Sequence, residues 1–134
     1  MNMKPYIVYA DDDSDDQEIF KDLVHTIEGP ISTVIFNEGA SLLQFLDSIE
    51  TNDKLPNVVV LDINMPGANG FFTLERIRSN TRFRELPVVI YTTSSDAADK
   101  NKSFQLGATE FIPKPIFKNE FDSFKSRLLK YIHD

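Results

Sequence analysis

Five aspartates, Asp11, Asp12, Asp13, Asp15 and Asp16, fall within six positions directly behind the apolar stretch Tyr6-Ile7-Val8-Tyr9. Further along, Asp62 follows Val58-Val59-Val60-Leu61, Thr92 follows Val88-Val89-Ile90-Tyr91, and Lys114 comes two residues after the run from Thr109 to Ile112. Two carboxylates about 4 Å apart repel by roughly 4 kcal/mol at an effective dielectric of about 20, so acids gathered from separate runs need a cation or must bind protons. All-oxygen ligation with waters left in place suits Mg²⁺. A metal beside a spare carboxylate and a lysine is the equipment for phosphoryl transfer, where charge spreads over the equatorial oxygens and catalysis is largely positioning and neutralisation. In that chemistry Asp62 is the nucleophile and forms an acyl phosphate. Lys114 and Mg²⁺ neutralise the phosphoryl oxygens, and Thr92 hydrogen-bonds one of them.

The elements that must position these groups alternate along the chain. Tyr6 to Ala10, Ile31 to Phe36, Val58 to Leu61, Val88 to Tyr91 and Thr109 to Ile112 are brief runs rich in Val and Ile, the pattern of strands buried on both faces. Between them lie helical patterns. Ile19, Phe20, Leu23, Val24 and Ile27 mark one face of a first helix that Ser14 could cap. Leu42, Leu43, Phe45, Leu46 and Ile49 mark a second, and Phe71, Phe72, Leu74 and Ile77 a third. Phe117, Phe121, Phe124, Leu128, Leu129 and Ile132 give the last helix a strong stripe. The stretch from Ser95 to Leu106, with Ser95 as its cap, offers only Ala97, Ala98, Phe104 and Leu106 to a core, so this helix should be the least firmly anchored. Strand–helix repeats of this kind read as a doubly wound α/β domain, because parallel strands need crossover helices that cover both faces of the sheet. Ligands in such sheets bind outside the carboxyl ends of the strands, where Asp11, Asp12, Asp62, Thr92 and Lys114 all fall.

The chain has 134 residues, the size of one domain. Its net charge is −7 and no lysine or arginine run is present, so direct nucleic-acid contact is not expected. The absence of cysteine excludes a disulfide framework and thiolate chemistry. Apolar runs reach only four or five residues, too short for a membrane span or a signal-peptide core. A cytoplasmic protein without membrane contact is expected.

The acidic pair in "IVYADDD", "VVVLDINMPGANG" around Asp62, "LPVVIYTTSS" around Thr92 and "GATEFIPKP" around Lys114 together resemble the receiver domains of two-component response regulators. The resemblance runs from about Lys4 to His133. It implies a (βα)5 flavodoxin-like fold with strand order 2-1-3-4-5, and a single domain without an output domain, the stand-alone type. It implies that Asp62 accepts a phosphoryl group from the phosphohistidine of a sensor histidine kinase or histidine phosphotransfer protein. Asp11, Asp12, Asp62 and the Asn64 backbone carbonyl would hold Mg²⁺, Thr92 and Phe111 would be the switch hydroxyl and switch aromatic, and the Lys114-Pro115 bond would be cis. Phosphorylation would draw Thr92 to the phosphate, let Phe111 turn inward and reshape the surface of the fourth helix, fifth strand and fifth helix. That surface would then meet a downstream protein or a second copy of the chain. Such a protein is no enzyme beyond catalysing its own phosphorylation and dephosphorylation. The stretch from Glu50 to Asn57, with "RSNTRFRELP" and "YTTSSD", is similar to stand-alone receivers paired with phytochrome kinases.

Asp13, Asp15 and Asp16 exceed the acids such a site needs. Asp13 could assist through water, while Asp15 and Asp16 suit the first helical turn and its dipole. Two other functions share parts of this pattern. A small Mg²⁺ phosphohydrolase resembling haloacid dehalogenases would carry its nucleophile after the first strand with a second acid two residues on, whereas Asp62 is followed at that spacing by Asn64. An FMN carrier of the flavodoxin type would need a hydroxyl-rich phosphate loop where this chain has carboxylates. His25 lies in the first helix, but a phosphohistidine role does not suit a chain that is not all-helical, and His133, next to the C-terminus, reads as solvated.

Overall fold

The structure, a computed structural model, describes residues 5–65 and 69–132. Pro66, Gly67 and Ala68 of the "NMPGANG" stretch, and His133, lie outside the described residues. The β-branched runs form strands β1 (Tyr6–Ala10), β2 (Ser32–Phe36), β3 (Val58–Leu61), β4 (Val88–Thr92) and β5 (Glu110–Pro113). They pair in parallel in the order β2-β1-β3-β4-β5. Helices α1 (Ser14–His25), α2 (Gly39–Ser48), α3 (Gly70–Arg78) and α4 (Ala97–Gln105) make the crossovers, and α5 (Lys118–Ile132) follows the last strand. This is the doubly wound, flavodoxin-like arrangement the sequence led us to expect.

Alternation along each buried strand divides the core in two. Val8, Ala10, Val59, Leu61, Val88, Ile90 and Phe111 face α2 and α3, where they meet Leu42, Leu46, Leu74 and Ile77. Ile7, Tyr9, Val58, Val60, Val89, Tyr91 and Ile112 face the opposite way, against Phe20, Leu23 and Val24 of α1 and Phe124, Leu128 and Ile132 of α5. Strands β1, β3 and β4 are buried almost throughout, while β2, at the edge, is only half-buried.

Several local expectations are corrected. Asp13, not Ser14, caps α1: its side chain accepts from the amides of Asp15 and Asp16, leaving Ser14 as the first helical residue. Asp96, not Ser95, caps α4 by accepting from the amide of Ala98. Both errors are slips of one residue between neighbouring good cap formers. Ile19, assigned to the buried face of α1, is 43% exposed, and Phe72 of α3 and Phe117 before α5 are likewise exposed. Helix α4 buries only Ser103, Phe104 is 45% exposed, and Leu106 is half-buried. Its anchoring is thin, because its inward positions carry few apolar atoms to bury.

Candidate functional site

Ladder hydrogen bonds carry the site residues just past the strand ends. The Asp11 amide donates to the Phe36 carbonyl at 3.1 Å, the Asp62 amide to Ala10 at 3.1 Å, and the Lys114 amide to Thr92 at 2.7 Å. Each bond extends strand pairing by one step, so neighbouring chains deliver their polar side chains to one edge at fixed register. Lys114 is then the hub. Its Nζ lies 2.7 Å from Asp11 Oδ2, 2.7 Å from Asp16 Oδ2 and 3.0 Å from Asp62 Oδ2. One carboxylate oxygen from each of Asp11, Asp12 and Asp62 lies within 4.8 Å of the others. Asp12 is exposed, whereas Asp11 and Asp62 are buried.

Fixed donors hold the remaining oxygens. Asp11 Oδ1 accepts from the Asp13 amide at 2.9 Å, and its Oδ2 also accepts from the Tyr9 hydroxyl. Asp62 Oδ1 accepts from the Asn64 amide at 3.1 Å. Gln17 Nε2 donates to the Asp11 carbonyl at 2.6 Å and to Asn37 Oδ1 at 2.8 Å, tying α1 to the loop after β2. Beneath these groups is an aromatic floor: Tyr9 stacks on Phe20 at 4.2 Å, Tyr91 stacks on Phe124 at 4.5 Å, and Lys114 Nζ sits 5.8 Å from the Tyr91 ring centroid. An apolar floor excludes water and strengthens every charge interaction above it.

The ionisation of these groups follows. Burial raises the Asp62 carboxyl above the ordinary aspartate range; the Asn64 amide and Lys114 pull it down, Asp11 pushes it up, and the net direction is up. For Lys114 burial works to lower the value, but the hydrogen bonds to Asp11, Asp16 and Asp62 outweigh it and hold the ammonium above the ordinary lysine range. A carboxylate that is hard to keep charged beside an ammonium that is hard to discharge favours any process that consumes the carboxylate's charge.

Thr92 is buried, and its Oγ1 accepts from Asn64 Nδ2 at 3.4 Å and from the Ser94 amide at 3.2 Å. Ser94 Oγ in turn donates to Asp99 Oδ2 on α4 at 2.8 Å. Phe111 is already turned inward and is buried against the α2–α3 core. The Lys114–Pro115 bond, expected to be cis, is trans, the isomer an X–Pro bond favours by about 0.5–1 kcal/mol. Asp11, Asp12, Asp62 and Lys114 thus meet, and Thr92 joins through Asn64. Sequence reasoning missed Asp16, which was assigned to the helix dipole, and Tyr9, read only as a strand residue. It also missed Gly70: a Cβ there would lie 2.4 Å from the Asp62 carbonyl oxygen and 2.6 Å from Ile63 Cα, so α3 can begin against the Asp62 loop only at glycine.

A family model for the response regulator receiver domain matches residues 7–124. The sensor histidine kinase CheAY of Helicobacter pylori is 30% identical over 111 residues, 82% of this chain and 13% of that protein. The two-component response regulator ARR9 of Arabidopsis thaliana is 26% identical over 141 residues, covering 93% of this chain and 59% of that protein. The chain therefore spans a small part of the first and somewhat over half of the second. Among solved structures, the Mn(2+)-bound form of response regulator Rcp1 superimposes with a TM-score of 0.83 at 23% identity, covering 96% of this chain and 95% of that one. The bacteriophytochrome response regulator RtBRR superimposes with a TM-score of 0.78 at 26% identity, covering 98% and 80%. These matches do not favour a phosphohydrolase, and they place the chain in a family of signalling proteins. By sequence, by fold and by the acidic pocket at its strand ends, the chain belongs to the family of receiver domains of two-component response regulators.

Proposed function

We propose that Asp62 is the phosphoacceptor of a phosphorelay. The observation that carries this reading is the Lys114 ammonium placed between Asp11 and Asp62, with Asp12 closing the same pocket. Asp62 Oδ attacks phosphorus and the P–N bond of a phosphohistidine on a sensor kinase or phosphotransfer protein breaks; its electron pair stays on the ring nitrogen, and the imidazole, already protonated on its other nitrogen, leaves as the neutral base. Lys114 donates to a phosphoryl oxygen, and Thr92 turns its hydroxyl toward another. Asp11, Asp12, Asp62 and the Asn64 carbonyl would hold Mg²⁺. The donor set fits, because several close carboxylates face one ammonium and every offered atom is oxygen. When bound, the cation neutralises charge on the phosphoryl group and on the pocket.

Signal output in this reading passes through Thr92. Moving its hydroxyl to the phosphate gives up the bonds from Asn64 and from the Ser94 amide, and Ser94 is bonded to Asp99 of α4. A helix that buries only Ser103 responds to so small a change, and the surface of α4, β5 and α5 shifts between two packings. Phe111, already inside, supports the shift by packing rather than by a swing from solvent. The occupant of that surface is a downstream protein or a second copy of the chain. The likeness to RtBRR supports a kinase of the phytochrome type as the donor.

Incubation with Mg²⁺ and a small phosphodonor, followed by mass spectrometry, tests the assignment. We expect one phosphoryl group on the wild type and none on Asp62→Asn; labelling of that variant at the wild-type level refutes it. Profiling the chain against the histidine kinases of its own genome identifies the donor.

A further inference from the structure

An ammonium has three N–H bonds, and in Lys114 all three point at carboxylates: Asp11, Asp16 and Asp62. On the reading of Asp62 as acceptor, this full occupancy poses a problem of order. Lys114 must donate to the incoming phosphoryl group while Asp62 is still a charged carboxylate, so one bond has to be released before transfer.

The surroundings of the three partners differ. The Asp11 side chain has no exposure, its Oδ2 is shared with Tyr9 and its Oδ1 with the Asp13 amide, and it belongs to the pocket that closes around a cation. The Asp62 side chain is 6% exposed and is the attacking group. Asp16 stands apart: its side chain is 28% exposed, it lies in the first turn of α1, and it lies outside the cluster of Asp11, Asp12 and Asp62. It alone of the three can exchange a lysine hydrogen bond for water at little cost.

We infer that Asp16 is a positioning residue that parks Lys114 in the resting protein and gives up its hydrogen bond when a phosphoryl group enters. Asp16 touches no reacting atom and acts through Lys114. Its charge draws the ammonium toward α1, away from where the phosphoryl oxygens will sit, and so slows phosphorylation. The release also couples α1 to the state of Asp62, because the first turn of α1 loses its tie to the β5 end of the site when Lys114 turns away.

The test compares Asp16→Asn and Asp16→Glu with the wild type, each at its own saturating Mg²⁺ concentration, by the rate of labelling with a small phosphodonor. Exchanging a charged acceptor for a neutral one weakens the competing bond, and we expect Asp16→Asn to be labelled about fivefold faster. Asp16→Glu, whose carboxylate still reaches the ammonium, should return close to the wild-type rate. A purely structural role for Asp16 predicts a lower melting temperature without faster labelling, and a rate for Asp16→Asn at or below the wild type overturns the inference. A crystal structure of the wild type with Mg²⁺ and beryllofluoride, a phosphoryl mimic, gives an independent reading. Lys114 Nζ should lie beyond hydrogen-bonding distance of Asp16, and a retained contact overturns the inference. Failure of the wild type to be labelled on Asp62 removes the phosphoacceptor reading and this inference with it, whereas labelled wild type with unaccelerated Asp16→Asn removes only the latter.

Discussion

Replacing Lys114 by methionine keeps most of the side chain's volume and removes its charge. The wild-type lysine side chain is 9% exposed, and its ammonium neutralises Asp11, whose side chain has no exposure, and Asp62, whose side chain has 6%. Removing one partner of a buried ion pair costs about 3–5 kcal/mol, since the remaining charge is left dry and unpaired. Asp62 can relieve part of that by binding a proton: burial already raises its value, and the variant loses the two lowering influences of Lys114. The lower end, about 3 kcal/mol, is therefore expected near neutral pH, which for a chain of this size is a fall of roughly 10 °C in melting temperature. The sign with pH is fixed by the same shift. A carboxyl whose value is raised by folding costs stability while charged, so acidification from about pH 7 to about pH 5 should recover more stability in Lys114→Met than in the wild type. Mg²⁺ should do the same, because a bound cation replaces the lost positive charge and stabilises the folded state by mass action. Circular-dichroism melting in EDTA, in Mg²⁺ and at both pH values checks all three. A variant that melts with the wild type in EDTA, or that gains nothing from Mg²⁺, would show that these carboxylates are not crowded together.

Three further outcomes follow from the geometry. All four tyrosines, Tyr6, Tyr9, Tyr91 and Tyr131, are raised above the ordinary phenol range, chiefly by burial. Stability should therefore fall as pH climbs past about 10, where only the unfolded chain ionises, and tyrosinate absorbance should appear together with unfolding; four tyrosines titrating near that pH in a folded protein would contradict the burial. Gly70→Ala drives a methyl into the backbone at Asp62 and Ile63, for about 1–3 kcal/mol of stability and slower labelling of Asp62, read by melting and by phosphodonor assay. Asp13→Ala removes the α1 cap and costs about 1 kcal/mol, while isothermal titration should find Mg²⁺ affinity close to the wild type, because the Asp13 side chain is spent on the amides of Asp15 and Asp16.

The strand ends were legible because a β-branched run buried on both faces leaves little doubt where it stops, and the next polar residue must stand at the edge of the sheet. Asp11, Asp62, Thr92 and Lys114 were all found that way. Helix faces were read less well. Ile19 and Phe20 are adjacent apolar residues, and periodicity could not say which one points inward; the structure buries Phe20 and exposes Ile19. The same ambiguity hid Asp16, for which the helix dipole gave a sufficient reason. The available signal was Phe20, four residues on, on the same face of α1 and fully buried. For Tyr9 the signal was strand alternation, which puts it on the same side as Asp11, two residues later. Asp13 and Asp96 as caps were beyond reach, since each stands beside a serine of nearly equal capping strength. The close approach at Gly70 depends on how α3 packs on the Asp62 loop, a tertiary fact with no local signature.

Among the described residues, Asp11, Asp12, Asp16 and Asp62 share one edge of the sheet with a single ammonium, so the pocket carries three formal negative charges more than Lys114 can neutralise. Local choice and global fold conflict here, and such conflicts gather where a site must do work. On the proposed reading, exchanging Asp12 for asparagine removes repulsion and stabilises the metal-free protein while weakening its hold on the cation. On that reading the excess charge ties stability at this edge to function. On the same reading the exposure of the acids sets an order of events: Asp12, at the surface, meets a cation first. Asp16 can release Lys114 into water, and Asp11 stays dry and fixed throughout. On the proposed reading only Asp62 is modified, its carboxylate becoming an acyl phosphate of greater negative charge, beside a hydroxyl, Thr92, that is linked through Ser94 to α4.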